Sequence, residues 1–250
     1  MSSFTRQRIQ QLFDVVPERY ELVNRVLTLG LDIYWRKRAA AITGRLPALR
    51  ILDCCTGTGE FASLLDRRFP QCHLLIAGDF TKGMLSHIKQ NEKFNDIQTV
   101  LLDAEHLPIQ TGTMDLVSIS FGVRNINRNP TVFRKCLKEF HRILVEDGRL
   151  VLVETSQPVS RLVRGIFHLY VRLVVERIGA AVSGSRYPYR YLSGTIPRFH
   201  DATALTSILK KAGFGVVKTY PLTYGVVCVH EAFKPGNYEH TERYLSNHSG

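Results

Sequence analysis

The stretch that constrains this chain most is residues 51–60, Ile-Leu-Asp-Cys-Cys-Thr-Gly-Thr-Gly-Glu. A short apolar run empties into two closely spaced glycines and then into a helical pattern. Gly57 and Gly59 leave room for a ligand to lie against the backbone, and a helix opening near Glu60 offers unpaired N–H groups there. Asp53 and Glu60 set carboxylates beside the turn. Such a setting disfavours a phosphate and suits a cation or an amine.

Around that turn the pattern alternates. Strand patterns at residues 50–54, 73–79, 97–103, 114–120 and 149–154 are separated by helical patterns at 60–68, 82–91 and 130–143, with Gly148 as the break before the last of these strands. A helix at 203–212 precedes strands at 216–220 and 226–233, whose connection through Thr223, Tyr224 and Gly225 is short enough to require antiparallel pairing. The expected fold is α/β and Rossmann-like, a mostly parallel sheet with a C-terminal antiparallel hairpin. Residues 5–29 and 33–43 read as helices, the first interrupted at Pro17. The second carries Trp35 and a basic triplet, Arg36, Lys37 and Arg38, which reads as a solvated face. We expect a single domain over residues 1–233, with residues 1–45 as a helical lid, 156–200 as an insertion over the substrate site, and 234–250 as a polar, mobile tail.

Within the insertion, Arg161, Arg164, His168, Arg172 and Glu176 recur at helical spacing and form one polar stripe. The remaining positions are largely apolar, so this helix is expected to bury most of its circumference in the core, in a dimer interface or in lipid. Residues 183–197, with Tyr187, Tyr189 and Tyr191, read as a loop. The net charge is +11, and residues 151–200 hold seven Arg and no Lys against Glu154 and Glu176. An anionic partner follows, although the lysine-rich stripe and exposed aromatics of a nucleic-acid binder are missing. Five Cys without C-x-x-C or His-paired spacing argue against a disulfide framework and against a metal site. The N-terminus has no apolar signal region and no run of about 18 apolar residues exists, so a cytoplasmic, non-spanning protein is expected.

Residues 57–62 satisfy the loose G-x-G-x-x-G/A pattern, and Asp79 stands where a ribose-binding acid belongs. That much suits NAD and S-adenosylmethionine equally. The carboxylates beside the turn, Asp103 placed to accept from an adenine amino group, and the closing antiparallel hairpin favour S-adenosylmethionine, whose amino group and sulfonium are cationic.

Further runs carry a resemblance: Tyr20 with Asn24, Gly30 and Trp35-Arg36; Asp79-Phe80 with Gly83-Met84-Leu85; Asp103-Ala104-Glu105; Ser120-Phe121-Gly122-Val123-Arg124-Asn125; and Tyr189-Arg190-Tyr191-Leu192. On these the chain resembles the quinone-pathway C-methyltransferases, the family of demethylmenaquinone methyltransferase and of the ubiquinone-pathway benzoquinol methyltransferase. It departs from them at residues 145–148, Val-Glu-Asp-Gly for Lys-Pro-Gly-Gly, and at 154–158, Glu-Thr-Ser-Gln-Pro for Glu-Phe-Ser-Lys-Pro.

The resemblance implies a class I S-adenosylmethionine-dependent methyltransferase fold. It also implies that Thr58, Asp79, Asp103, Ala104 and Ser120 bind the cofactor, with Asp53, Gly57 and Gly59 forming the loop. Phe80 and Met84 are expected to sandwich the adenine. The implied reaction is methyl transfer to an aromatic carbon ortho to a hydroxyl, with Arg124 stabilising the phenolate, Asn125 bonding a ring oxygen and Tyr20 acting as a lid. Tyr189, Arg190 and Tyr191 are candidate pocket residues for a prenylated quinol, demethylmenaquinol first and a benzoquinol or another lipophilic aromatic second. The acceptor's tail and the arginines around it predict peripheral contact with an anionic membrane surface. A non-catalytic, cofactor-binding assembly subunit is the alternative of a different class.

Overall fold

Two helices, α1 (Pro17–Thr28) and α2 (Leu31–Ile42), precede the first strand, β1 (Leu49–Cys54), in the structure, a computed structural model that describes residues 17–44, 49–91, 94, 97–184 and 186–236. The chain then runs through α3 (Glu60–Arg68), β2 (Cys72–Asp79), α4 (Lys82–Lys89), β3 (Gln98–Leu101), β4 (Met114–Ser120), a short α5 (Val123–Ile126), α6 (Pro130–Ile143) and β5 (Leu144–Thr155). After β5 come α7 (Arg161–Tyr170), a π turn (Val171–Val175), α8 (Glu176–Ser183), α9 (Tyr187–Thr195) and a 3₁₀ turn (Ile196–Arg198). The chain closes with α10 (Ala202–Lys211), β6 (Val217–Leu222) and β7 (Val227–Phe233).

The strands form one sheet in the order β3-β2-β1-β4-β5-β7-β6. Pairing is parallel from β3 to β5, and β7 runs antiparallel to both β5 and β6. Strands covered on both faces need near-continuous apolar runs, and Ile51, Leu52, Leu150, Val151, Leu152 and Val153 are all fully buried. One face packs Phe133, Leu137 and Phe140 of α6 with Leu205 and Leu209 of α10. The other packs Trp35 and Ala39 of α2, Phe61 and Leu65 of α3, and Leu85 and Ile88 of α4. Both faces leave the carboxyl ends of β1 to β4 open, the edge where such sheets bind ligands. Above that edge a third cluster joins Val23 and Leu27 of α1 to Val171, Val175, Tyr189 and Ile196.

The late elements depart from the sequence-based expectation. Residues 187–195, expected as loop, form α9, with Pro188 in the first turn where a missing N–H costs nothing. Gly179 permits α8 and α9 to touch, since a β-carbon there would lie 2.2 Å from the Tyr189 ring. The polar stripe is broken by the π turn, which adds a residue and rotates Glu176 out of phase with Arg161 and Arg164. Of the three settings expected for that helix, packing in the chain's own core is overturned for α7, which has no buried residue and leaves Leu162 and Ile166 74% and 61% exposed. Strand β5 begins at Leu144 rather than after Gly148, taking Asp147 at φ 60° through a register shift opposite Met114 and Leu116. Helix α1 opens at Pro17; the helix expected before it and the tail beyond residue 236 lie outside the described residues.

Candidate active site

A cleft enclosing about 970 Å³ of empty space, part of it open to solvent, lies at the carboxyl ends of β1 to β4. Gly57, Thr58, Asp79, Phe80, Met84, Asp103, Ala104 and Ser120 all line it, so the structure brings eight of the ten expected cofactor residues together. Asp79 ends β2 and holds the loop, its carboxylate accepting from the Gly57 N–H at 3.0 Å and the Thr81 N–H at 2.9 Å. Burial pushes the Asp79 carboxyl up, and these N–H bonds oppose the rise. Asp103 accepts from the Glu105 N–H at 3.1 Å, a turn that fixes its side chain in the wall. The Ser120 hydroxyl is buried with no hydrogen-bond partner among the described residues, a polar atom left for a ligand. Two carboxylates for hydroxyls and an amine, an unsatisfied hydroxyl and the apolar Phe80 and Met84 suit an adenosine.

Asp53 and Gly59 serve the loop from beneath and do not line the cleft. Asp53 is fully buried and accepts from the hydroxyls of Ser118 and Thr56, both at 2.6 Å. Burial drives its carboxyl up to about 6, against the pull of those two hydrogen bonds. Gly59 caps α3 at φ 83°, where a β-carbon would stand 3.1 Å from Ile88. Of the two loop glycines Gly57 meets the cleft, with nothing within 4 Å of a β-carbon placed on it.

The expectation of bare carboxylates beside the turn is corrected at Glu60 too. Glu60 lines the cleft but is bound by Arg25 at 2.7 Å and approached by Arg36 at 3.6 Å. Arg36 is not on a solvated face: it is 8% exposed, ion-paired with Asp32 at 2.7 Å, and set over the Phe121 ring with 5.2 Å to its centroid.

A second cavity, enclosing about 1040 Å³ of partly open space, lies between α1, α2 and the α7–α9 segment. Its walls are mainly apolar, with Leu27, Leu29, Leu31, Trp35, Phe167, Val171, Val175 and Ile196 among them. Arg36 and Phe121 line both cavities and so form their common wall. Phe121 holds that place by adopting φ 57° directly after β4, a left-handed conformation that costs a non-glycine residue about 1–2 kcal/mol. Its ring also lies 5.9 Å from that of Trp35, whose indole N–H donates to Thr223 Oγ1 at 2.8 Å.

Arg124 reaches the apolar cavity already paired. Its Nε donates to Glu154 Oε1 at 3.0 Å and a terminal nitrogen to Thr195 Oγ1 at 3.3 Å. Asn125 lines the cofactor cleft and accepts from the Tyr191 hydroxyl at 3.3 Å. Burial pushes the Tyr191 phenol up, so it stays protonated and able to donate at neutral pH. Tyr189 is instead buried in the third core cluster, and Arg190 is exposed, 3.6 Å from Glu176; neither lines the cofactor cleft or the apolar cavity. Tyr20 lies in α1, and its side chain is outside the described residues.

Arg36, Phe121 and Glu154 were missed as site residues by sequence reasoning. For Arg36 the available signal was its place after the chain's one Trp; for Glu154 it was a carboxylate at the carboxyl end of a strand that points at the site.

A demethylmenaquinone methyltransferase of Deinococcus radiodurans is 37% identical over 222 residues, covering 88% of this chain and 90% of that protein. A ubiquinone/menaquinone biosynthesis C-methyltransferase of Desulfotalea psychrophila is 30% identical over 226 residues, covering 90% of each. Among solved structures, a SAM-dependent methyltransferase of Thermotoga maritima described as a possible histamine N-methyltransferase superposes with a TM-score of 0.62 at 18% identity, over 90% of this chain and 99% of that one, which speaks for the fold alone. The fold is that of the class I methyltransferases and the methyl donor is S-adenosylmethionine. Residues 1–234 match the ubiE/COQ5 methyltransferase family, and the chain belongs to it.

Proposed function

We propose that this enzyme methylates a ring carbon of a prenylated quinol, with demethylmenaquinol as the acceptor. The observation that carries the proposal is the pairing of a polar cleft with an apolar cavity across a shared wall of Arg36 and Phe121. A ring seated against that wall faces the donor, while an isoprenoid tail runs along Leu27, Leu29 and Phe167. The bound cofactor supplies an electrophilic methyl group on a sulfonium. The acceptor carbon becomes nucleophilic only when its ortho hydroxyl is ionised, and Arg124 at the cavity wall stabilises that phenolate. Asn125, held by Tyr191, orients a ring oxygen. Among the described residues the one carboxylate lining the apolar cavity is Asp32, which already accepts from Arg25, Arg36 and Thr28, so the phenol proton leaves to water; after transfer the hydrogen on the methylated carbon is lost to water as well and the phenol oxygen takes a proton back, restoring the aromatic ring. Alignment supplies up to about 7–11 kcal/mol, more than the rate factor of about 10²–10⁴ from a base.

The acceptor's tail asks for a lipid supply. Val159, Leu162, Ile166 and Leu169 are exposed on or beside α7, interleaved with Arg161 and Arg164, and Leu29 is exposed at the cavity wall. This combination fits the headgroups and upper chains of an anionic bilayer. No helix among the described residues is long and apolar enough to cross a membrane, so the contact we propose is peripheral. A second copy of the chain is the competing occupant of that face.

Labelled cofactor incubated with demethylmenaquinol and with a benzoquinol tests the acceptor. Label is expected in the naphthoquinol ring; transfer to the benzoquinol alone changes the acceptor, and tight cofactor binding with no transfer to any quinol favours the assembly-subunit reading. Retention on anionic vesicles at low salt tests the membrane face, and dimerisation without retention assigns it to a second copy.

A further inference from the structure

We infer that Arg36 and Glu60 form the receptor for the amino-acid end of S-adenosylmethionine, Arg36 binding the α-carboxylate and Glu60 the α-ammonium. The inference rests on the cofactor assignment and is independent of the quinol.

The strand order gives the cleft a direction. Asp103 follows β3, Asp79 ends β2, the glycine loop follows β1 and Phe121 follows β4, in the sequence β3-β2-β1-β4 across the sheet. An adenosine held at Asp103 and Asp79 therefore sends its remaining substituent over the loop toward β1 and β4. Glu60, the first residue of α3, and Arg36, over the Phe121 ring, line the cleft at that end.

Their hydrogen bonding leaves the needed capacity. Asp32 and Glu60 both approach the same terminal nitrogen of Arg36, at 2.7 and 3.6 Å. The Nε and the other terminal nitrogen of Arg36 find no hydrogen-bond partner among the described residues. A guanidinium with two adjacent free N–H positions matches a carboxylate in a two-pronged contact. Glu60 gives Oε1 to Arg25 at 2.7 Å, while its Oε2 has only the 3.6 Å approach of Arg36 and accepts no hydrogen bond among the described residues. Opposite charges side by side select a zwitterion: a phosphate would meet Glu60, and a simple cation would meet Arg36. Asp32 and Arg25 fix the two side chains before the ligand arrives, which lowers the ordering cost of binding.

Calorimetry with three ligands tests this without turnover: S-adenosylhomocysteine, its decarboxylated form, and 5′-methylthioadenosine, which lacks the amino-acid end. In the wild-type protein, removal of the carboxylate is expected to weaken binding at least about tenfold. Equal affinity for the first two ligands overturns the inference, and that comparison needs no variant to fold. Arg36→Gln is expected to weaken S-adenosylhomocysteine at least about tenfold and to leave 5′-methylthioadenosine within about twofold. Equal losses for both ligands assign Arg36 a structural role and overturn the inference, as does no loss for either. Failure of quinol methylation with this binding pattern intact would count against the acceptor alone.

Discussion

Removing Arg124 should damage stability and catalysis by separable amounts. The Arg124–Glu154 pair is nearly dry, with side chains 7% and 2% exposed and 3.0 Å between Nε and Oε1. Glu154 also accepts from the Arg124 N–H at 3.2 Å and from the Thr155 N–H and hydroxyl at 2.8 and 3.0 Å. In Arg124→Ala three neutral donors among the described residues remain around a buried carboxylate, and its one charged partner among them is lost. Breaking a buried pair from one side costs about 3–5 kcal/mol, a large part of the roughly 5–15 kcal/mol that a domain has. Arg124→Ala combined with Glu154→Gln removes both charges and should recover much of that loss, leaving a coupling energy of about 1–3 kcal/mol. Urea denaturation followed by the single Trp, Trp35, reads the stability. Turnover should not recover, because the cation facing the acceptor is absent from both variants; a fall of about 10²–10³ is expected while cofactor affinity stays near wild type. A double variant regaining near-wild-type turnover would refute the assignment of Arg124 to the phenolate. A single variant as stable as the wild type would refute the energetics.

Asp53 supplies a pH signature. Its folded carboxyl sits at about 6 rather than 3.8, so the folded state binds this proton more tightly than the unfolded state. The associated stability is complete below about pH 4 and is lost as pH rises through about 6, an amount of about 3 kcal/mol. Asp53→Asn should lack that loss, and parallel pH-dependent denaturation of the two proteins checks it. The two glycines should divide their effects. Gly59→Ala, strained at φ 83° and pressed on Ile88, should cost about 1–2 kcal/mol of stability. Gly57→Ala carries the same kind of backbone strain at φ 57° without the contact on Ile88, and because it faces the cleft it should in addition weaken S-adenosylhomocysteine in a titration. Leu162→Glu with Ile166→Glu should abolish retention on anionic vesicles and leave transfer to a short-tailed soluble acceptor intact; unchanged retention removes α7 from the proposed membrane face.

What was legible in the sequence depended on how local its cause is. Alternating apolar runs place β1 to β4, α3, α4 and α6 within a few residues and the core of β5 as well, because burial on both faces of a parallel sheet writes itself into each strand; the short α5 and the early start of β5 were not readable. The antiparallel pairing of β6 with β7 was equally readable, since Thr223 to Gly225 span too little chain for a crossover. Helix α9 was not, because tyrosines, Gly194 and Pro188 carry loop-like statistics, and packing of Tyr189 against Gly179 decides the conformation. Eight of the ten expected cofactor residues line the cleft: the resemblance implied most of them, and the strand ends that periodicity locates bring them to one edge of the sheet.

The residues misread in the site share one property: their roles depend on partners brought from elsewhere in the chain. Asp53 pairs in register with Ser118 across β1 and β4, so the strand period puts both side chains on the same face of the sheet. Once β4 lies beside β1, the Ser118 hydroxyl claims Asp53 from a neighbouring strand and Thr56 claims it from the loop. Its carboxylate then supports the turn and leaves the cleft to others. Glu60, a carboxylate beside the glycine turn by sequence, is claimed by Arg25 and Arg36 only because α1 and α2 fold back over the strand ends. The inference of a cationic ligand from two bare carboxylates therefore reached the right cofactor through a wrong arrangement. Glu60 meets the cleft beside an arginine with free donors, and a zwitterion suits that pair better than a cation does.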